Sequence, residues 1–173
     1  INAKPTKVVA LGWGDAETAL ALGVQPVGAS DWLGFGGEGV GPWAKGLYTT
    51  PPVIIGTMEP SFEKIAALKP DLILDVKGSG DQARYDRLKS IAPTIGVPKG
   101  GDSYLTNQQQ QLSMIAAALG EKAKGEALAK EVTDAFTAAA AAHPGWKGKT
   151  VSAVTKTADT NDGSCDADCS LRE

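Results

Sequence analysis

Five short apolar runs rich in β-branched or aliphatic residues recur between residues 7 and 97, and helix-forming segments fall among them. Residues 7–11 (KVVAL) end at Gly12, residues 26–29 and 53–55 follow, and 71–76 (DLILDV) and 93–97 complete the set. Runs this short, bounded by Gly and Pro, read as buried strands. Asp15 stands at an N-cap position before a helix over 16–22 closed by Gly23. Ser61 caps a helix whose apolar face is Phe62, Ile65 and Leu68 and which ends at Pro70; Asp81 caps another running to Lys89 or Ile91. Strands alternating with helices predict a Rossmann-like α/β fold, a mostly parallel sheet with helices on both faces. Ligands of such folds bind beyond the carboxyl ends of the strands.

The pattern changes after residue 97. A helix over 107–119 ends at Gly120, and a longer one covers 121–142. At 1.5 Å per residue the latter spans roughly 33 Å. His143-Pro144-Gly145 stops it, and 150–155 (TVSAVT) reads as one more strand. A lone strand cannot satisfy its own backbone, so it is expected to open a second sheet.

Charge separates the last segment from the rest. Residues 1–155 carry 15 basic and 15 acidic side chains, while 156–173 supply the whole net charge of −3. That balance predicts no nucleic-acid partner. No apolar run is long enough for a membrane span, and residues 1–7 carry no secretion signal, which leaves a removed signal open. Cys165 and Cys169 sit in the acidic tail as C-x3-C. Four soft zinc ligands are not available there, so a short-range disulfide or two free thiols is expected.

Several motifs compete for a functional reading. Gly12-Trp13-Gly14 follows a strand and Asp31 lies about 20 residues past the turn, which imitates a dinucleotide fingerprint. Glu17 stands where the third glycine belongs, and Asp15 puts a negative charge at the helix start, where a pyrophosphate would sit. Glycines making a tight strand-to-helix turn explain the same residues. Gly148-Lys149-Thr150 lacks the strand-then-helix order of a phosphate loop. His143 is the only histidine, so neither a His–metal site nor a Ser-His-Asp triad can be assembled, and no acid–base carboxylate pair stands out. No enzyme activity is expected.

Three of the four tryptophans, Trp13, Trp32 and Trp43, fall after strand ends or in the Gly-rich stretch 30–52, and Tyr48 follows. Aromatics on loops over strand ends can form a rim for a bulky organic ligand, or they can be peripheral core. Lys77 and Arg84 follow the fourth strand on the same edge and could meet anionic ligand oxygens, or be solvated surface cations.

Residues 56–65 (GTMEPSFEKI) followed by 66–74 (AALKPDLIL) resemble the hallmark stretch of the periplasmic-binding-protein family for iron–siderophore and vitamin B12 uptake. Residues 8–11 (VVAL), 19–24 (ALALGV) and 85–93 (YDRLKSIAP) fit the same family, and the resemblance covers about 5–155. Trp13 to Trp43 is more similar to an actinobacterial-type siderophore branch than to the B12 branch.

The resemblance implies a secreted or lipid-anchored, extracytoplasmic receptor of an ABC importer, with two α/β lobes joined by a long helix. It implies a ligand-binding lobe over 1–119, a connector helix over 120–145, the start of a second lobe over 146–156 and an atypical tail over 157–173, with most of the second lobe missing. Trp13, Asp31, Trp32, Trp43, Tyr48, Lys77 and Arg84 become the candidate ligand residues. Glu63 becomes the candidate contact to an arginine of the permease. The expected ligand is a ferric siderophore, with no cofactor and iron only inside that ligand. The implied partners are permease subunits, with the membrane reached through them or through a removed lipoprotein signal, and the chain is expected to be a monomer. A nucleotide-binding Rossmann-like enzyme domain and an interaction module without ligand remain the alternatives.

Overall fold

The structure, a computed structural model, describes residues 4–151. Contacts divide the chain into two units, Ile1–Glu131 and Val132–Glu173. The first unit holds a five-stranded sheet in the order β3-β2-β1-β4-β5, parallel throughout. Its strands are β1 (Val8–Ala10), β2 (Gly28–Ser30), β3 (Val53–Gly56), β4 (Leu72–Leu74) and β5 (Thr94–Ile95). Between and after them come α1 (Asp15–Ala21), α2 (Phe62–Leu68), α3 (Gln82–Ile91), α4 (Gln108–Leu119) and the start of α5 (Lys122–Ala142). The expected α/β class and element order are found.

The sheet is buried on both faces, and the two-residue period of its strands divides the core in two. Val8, Ala10, Leu72, Leu74 and Val76 pack with Ala16, Ala19 and Leu20 of α1 and Leu112, Ile115 and Leu119 of α4. Val9, Leu11 and Ile73 point the other way, onto Ile65 of α2 and Leu88 of α3. The Gly-rich stretch 31–52 is irregular apart from a 3-10 turn at Pro42–Ala44.

Helix starts follow the chemistry of the sequence in part. The side chains of Ser61, Asp81 and Asn107 accept from the N–H groups of Lys64, Arg84 and Gln110. Asp15 departs from expectation. The cap of α1 is Gly14, in the left-handed region at φ 76°, and Asp15 is the first helical residue, turned inward and fully buried. Asp71, expected inside the fourth strand, precedes it. Its carboxylate accepts from the N–H groups of Thr6 and Lys7 and from the Thr6 hydroxyl, and so ties down the chain entering β1.

α4 and the start of α5 approach closely at Gly125. A Cβ there would lie 2.5 Å from the Cβ of Ala116. Gly125→Ala gains about 1 kcal/mol of helix propensity, but the overlap costs about 1–3 kcal/mol. The expected net effect is a loss of about 1 kcal/mol by chemical denaturation. A stabilised variant would show that the helices move apart freely.

In the second unit, α5 continues to Ala142 and a 3-10 turn follows at Pro144–Trp146. The rings of His143 and Trp146 stack at 4.0 Å. No helix among the described residues is long and apolar enough to cross a membrane. Thr150 and Val151 are not in a strand. The rest of the expected strand, the acidic tail, Cys165 and Cys169 lie outside the described residues.

Candidate functional site

The strand order reverses between β1 and β4, because the chain runs outward through β2 and β3 before returning beside β1. In parallel α/β sheets the crevice over such a switch point is where ligands sit. The loops after β1 and β4 are joined there. The Trp13 N–H donates to the Lys77 carbonyl at 3.0 Å and the Tyr104 N–H to the Gly78 carbonyl at 2.8 Å.

Asp15 forms the floor of this crevice. Its Oδ2 accepts from the N–H groups of Val76 at 2.8 Å and Gly12 at 3.2 Å, and its Oδ1 accepts from Gln111 Nε2 at 2.6 Å. Gln111 Nε2 also donates to the Trp13 carbonyl at 2.8 Å. One carboxylate thus ties two loops to α4. Burial dominates its titration and pushes the carboxyl up to about 7; the hydrogen bonds oppose that shift, and the nearby Asp75 adds to it. Gly12 is required by the same packing. A Cβ there would lie 2.3 Å from Asp15 Oδ2 and 2.7 Å from the Lys77 nitrogen. The Gly12 N–H, which a dinucleotide phosphate would need, is occupied by Asp15.

Above the floor runs a line of five aromatic rings. Tyr104 stacks on Trp13 with ring centres 4.6 Å apart, and Trp13 on Trp32 at 5.6 Å. Trp32 meets Phe35 edge-on at 5.3 Å, and Phe35 meets Trp43 edge-on at 5.7 Å. Such pairs contribute roughly 0.5–1.5 kcal/mol each beyond their area burial. Trp43 ends the line and is 69% exposed. The Trp32 Nε1–H donates to Glu17 Oε1 at 3.1 Å, which sets the plane of that indole. The loop carrying Phe35 also bounds an open groove of about 590 Å³, with Glu38, Val40, Pro42 and Lys45 on its walls.

The other candidates fall in different places. Asp31 is buried, and its carboxylate accepts from the N–H groups of Phe35 at 2.7 Å and Gly36 at 2.8 Å, so it shapes the Gly-rich loop. Tyr48 lies in the core, outside the line of rings. Its hydroxyl and Glu17 Oε2 are buried with no hydrogen-bond partner among the described residues. Burial raises the Tyr48 pKa, and the charges of Glu17 and Glu38 raise it further.

Lys77 is half-buried on the β4 loop. Arg84, open from the sequence to a role on ligand oxygens or as a solvated surface cation, is not the latter. Its Nε and Nη2 donate to the two oxygens of Asp75 at 3.0 and 2.7 Å, and its Nη1 donates to the Met58 carbonyl at 3.2 Å. The pair is almost buried, with side-chain exposures of 11% for Arg84 and 6% for Asp75. Burial raises the Asp75 pKa more than Arg84 lowers it. Glu63 is exposed in the first turn of α2. No group of three or more His, Cys, Asp or Glu side chains among the described residues could hold a metal ion.

Phe35, Tyr104, Asp15, Gln111 and Asp75 complete the site beyond the residues expected from sequence. Phe35 and Tyr104 carry the same signal as the tryptophans, an aromatic in a Gly-rich loop past a strand. Tyr104 adds a left-handed backbone, φ 58°, an arrangement of non-glycine residues that clusters at functional sites.

The periplasmic binding protein family profile matches residues 8–161. The probable siderophore-binding lipoprotein YfiY of Bacillus subtilis is 35% identical over 130 residues, which are 73% of this chain and 37% of that protein. A periplasmic solute-binding protein of Mycobacterium smegmatis superposes with a TM-score of 0.80 at 34% identity, covering 86% of this chain and 53% of the other. The iron-uptake protein PiaA of Streptococcus pneumoniae, solved with ferrichrome, superposes at 0.72 with 29% identity, over 86% and 50%. The chain therefore spans little more than a third of the curated relative and about half of each solved one. With its parallel sheet, switch-point crevice and profile match, the chain belongs to the periplasmic binding protein family.

Proposed function

We propose that this lobe forms one wall of the ligand site of an extracytoplasmic, non-enzymatic receptor that captures a ferric siderophore for an ABC importer. The line of rings from Tyr104 to Trp43, laid across the crevice at the switch point, carries this reading. Capture is non-covalent. The rings pack on the organic body of the chelate, Lys77 meets its oxygens, and the iron arrives as cargo. YfiY and PiaA, named for siderophore binding and iron uptake, support the same ligand class. Glu63, exposed on α2, is the proposed contact to the permease.

Titration of intrinsic tryptophan fluorescence with a panel of ferric siderophores, metal-free forms alongside, tests the reading. One ferric class is expected to quench saturably. Trp13→Ala, which removes the ring stacked between Tyr104 and Trp32, is expected to weaken binding about tenfold or more, equivalent to about 1.4 kcal/mol. Trp43→Ala, at its exposed end, is expected to weaken it less. Unchanged affinity in both variants would remove the aromatic wall from the ligand site.

A further inference from the structure

The carboxyl edge of the sheet carries an excess of negative charge that the rest of the chain conceals. Residues 1–155 balance at 15 basic and 15 acidic side chains. Yet segments 12–17, 31–52, 57–61, 75–84 and 96–107, which make up that edge, hold eight acidic and four basic ones, and seven against four when the buried Asp15, which keeps its proton up to about pH 7, is set aside. Of the two cations beside the crevice, Arg84 is bound through two nitrogens to Asp75 and through the third to the Met58 carbonyl. Its charge is cancelled where a ligand would feel it. Lys77, half-buried on the β4 loop, makes no ion pair or side-chain hydrogen bond among the described residues. The faces of the five rings are themselves electron-rich and favour neutral or cationic groups.

The net charge of a ferric chelate is set by its donors. Three bidentate monoanionic donors, as in a trihydroxamate, neutralise the ferric ion. Three dianionic donors, as in a tricatecholate, leave a charge of −3. We infer that this face selects ferric chelates of zero or positive net charge, of the hydroxamate type. Asp75 sets that selectivity by cancelling Arg84. The inference rests on the ferric-chelate reading above.

The test is calorimetric titration of the chain with a hexadentate trihydroxamate and a hexadentate tricatecholate. Each is loaded with gallium(III), which keeps the charge of the ferric form, and each is measured at low and high salt. The neutral chelate is expected to bind at least about tenfold more tightly at low salt. Its affinity should hardly change with salt, whereas that of the trianion should improve as repulsion is screened. Asp75→Asn unmasks Arg84 and is expected to shift the preference several-fold toward the tricatecholate.

If that variant does not fold, the salt response of the unaltered chain still decides the matter. A tricatecholate that binds as tightly as the trihydroxamate, and more weakly as salt rises, overturns the inference and leaves the ferric-chelate reading standing. An Asp75→Asn chain that folds and keeps the original preference overturns the role of Asp75. Binding of neither chelate overturns both readings.

Discussion

Replacing Asp15 by alanine is expected to cost about 4 kcal/mol of folding stability at about pH 5, among the largest losses from a single change in this lobe. The alanine leaves the N–H groups of Gly12 and Val76 buried without an acceptor and removes one of the two acceptors of Gln111 Nε2. The pH dependence identifies the cause. The folded carboxyl titrates at about 7, against 3.8 for an unperturbed aspartate. Between those values the folded chain keeps a proton that the unfolded chain has lost. The proton-linked part of the Asp15 contribution to stability is therefore fully present below about pH 4. It declines as pH rises and is gone above about pH 7, a span on the order of 4 kcal/mol.

The cost of Asp15→Ala should shrink over the same window. Asp15→Asn still accepts the two backbone bonds through its amide oxygen and cannot ionise, so its stability curve should lack this slope. Asp71, whose pKa is lowered by its bonds to Thr6 and Lys7, gives an opposite trend at lower pH. The difference between parent and Asn curves isolates Asp15. Urea unfolding from about pH 4 to 8 measures it, and parallel curves for the two chains would refute the assignment.

Arg84→Ala is the second large effect, about 3–5 kcal/mol. It leaves Asp75, whose side chain is 6% exposed, with no cation and no other side-chain partner among the described residues. It also frees the Met58 carbonyl that links the β3–α2 loop to α3. Burial already raises the Asp75 pKa, and loss of Arg84 removes the opposing influence. The unpaired carboxyl should take up a proton, so the variant should recover stability as pH falls. Arg84→Ala combined with Asp75→Leu should restore most of the loss, because no charge is then left buried. A loss under about 1 kcal/mol in Arg84→Ala would show a solvated pair.

Much of the architecture was legible in one dimension. Runs such as 71–76 show their burial on both faces by being apolar at successive positions, and the caps at Ser61 and Asp81 show themselves by residue type. The tryptophans stood out as aromatics in or beside a Gly-rich loop, open to a ligand rim or a peripheral core, and the structure joins them with Phe35 and Tyr104 into one line of rings. What escaped were the pairings. Asp15 has the position of an N-cap, but its partners Val76 and Gln111 lie 61 and 96 residues away. Arg84 looks like a surface cation until the sheet places the end of β4 beside the first turn of α3. Tyr48 looks like a rim aromatic until the Gly-rich loop folds it into the core.

The sequence by itself determined the local choices: which segments form strands or helices, where most helices start, and which family's hallmark stretch the chain carries. These depend on periodicity, backbone preference and side-chain capping over a few residues. Only the tertiary structure decided what the site residues do. Order β3-β2-β1-β4-β5 brings five loops to one edge. There a carboxylate gains a floor position, an arginine loses its charge to a neighbour, and separate aromatics become one surface. Those outcomes depend on desolvation and on distances between remote segments, which exist only once the sheet has closed the loops together.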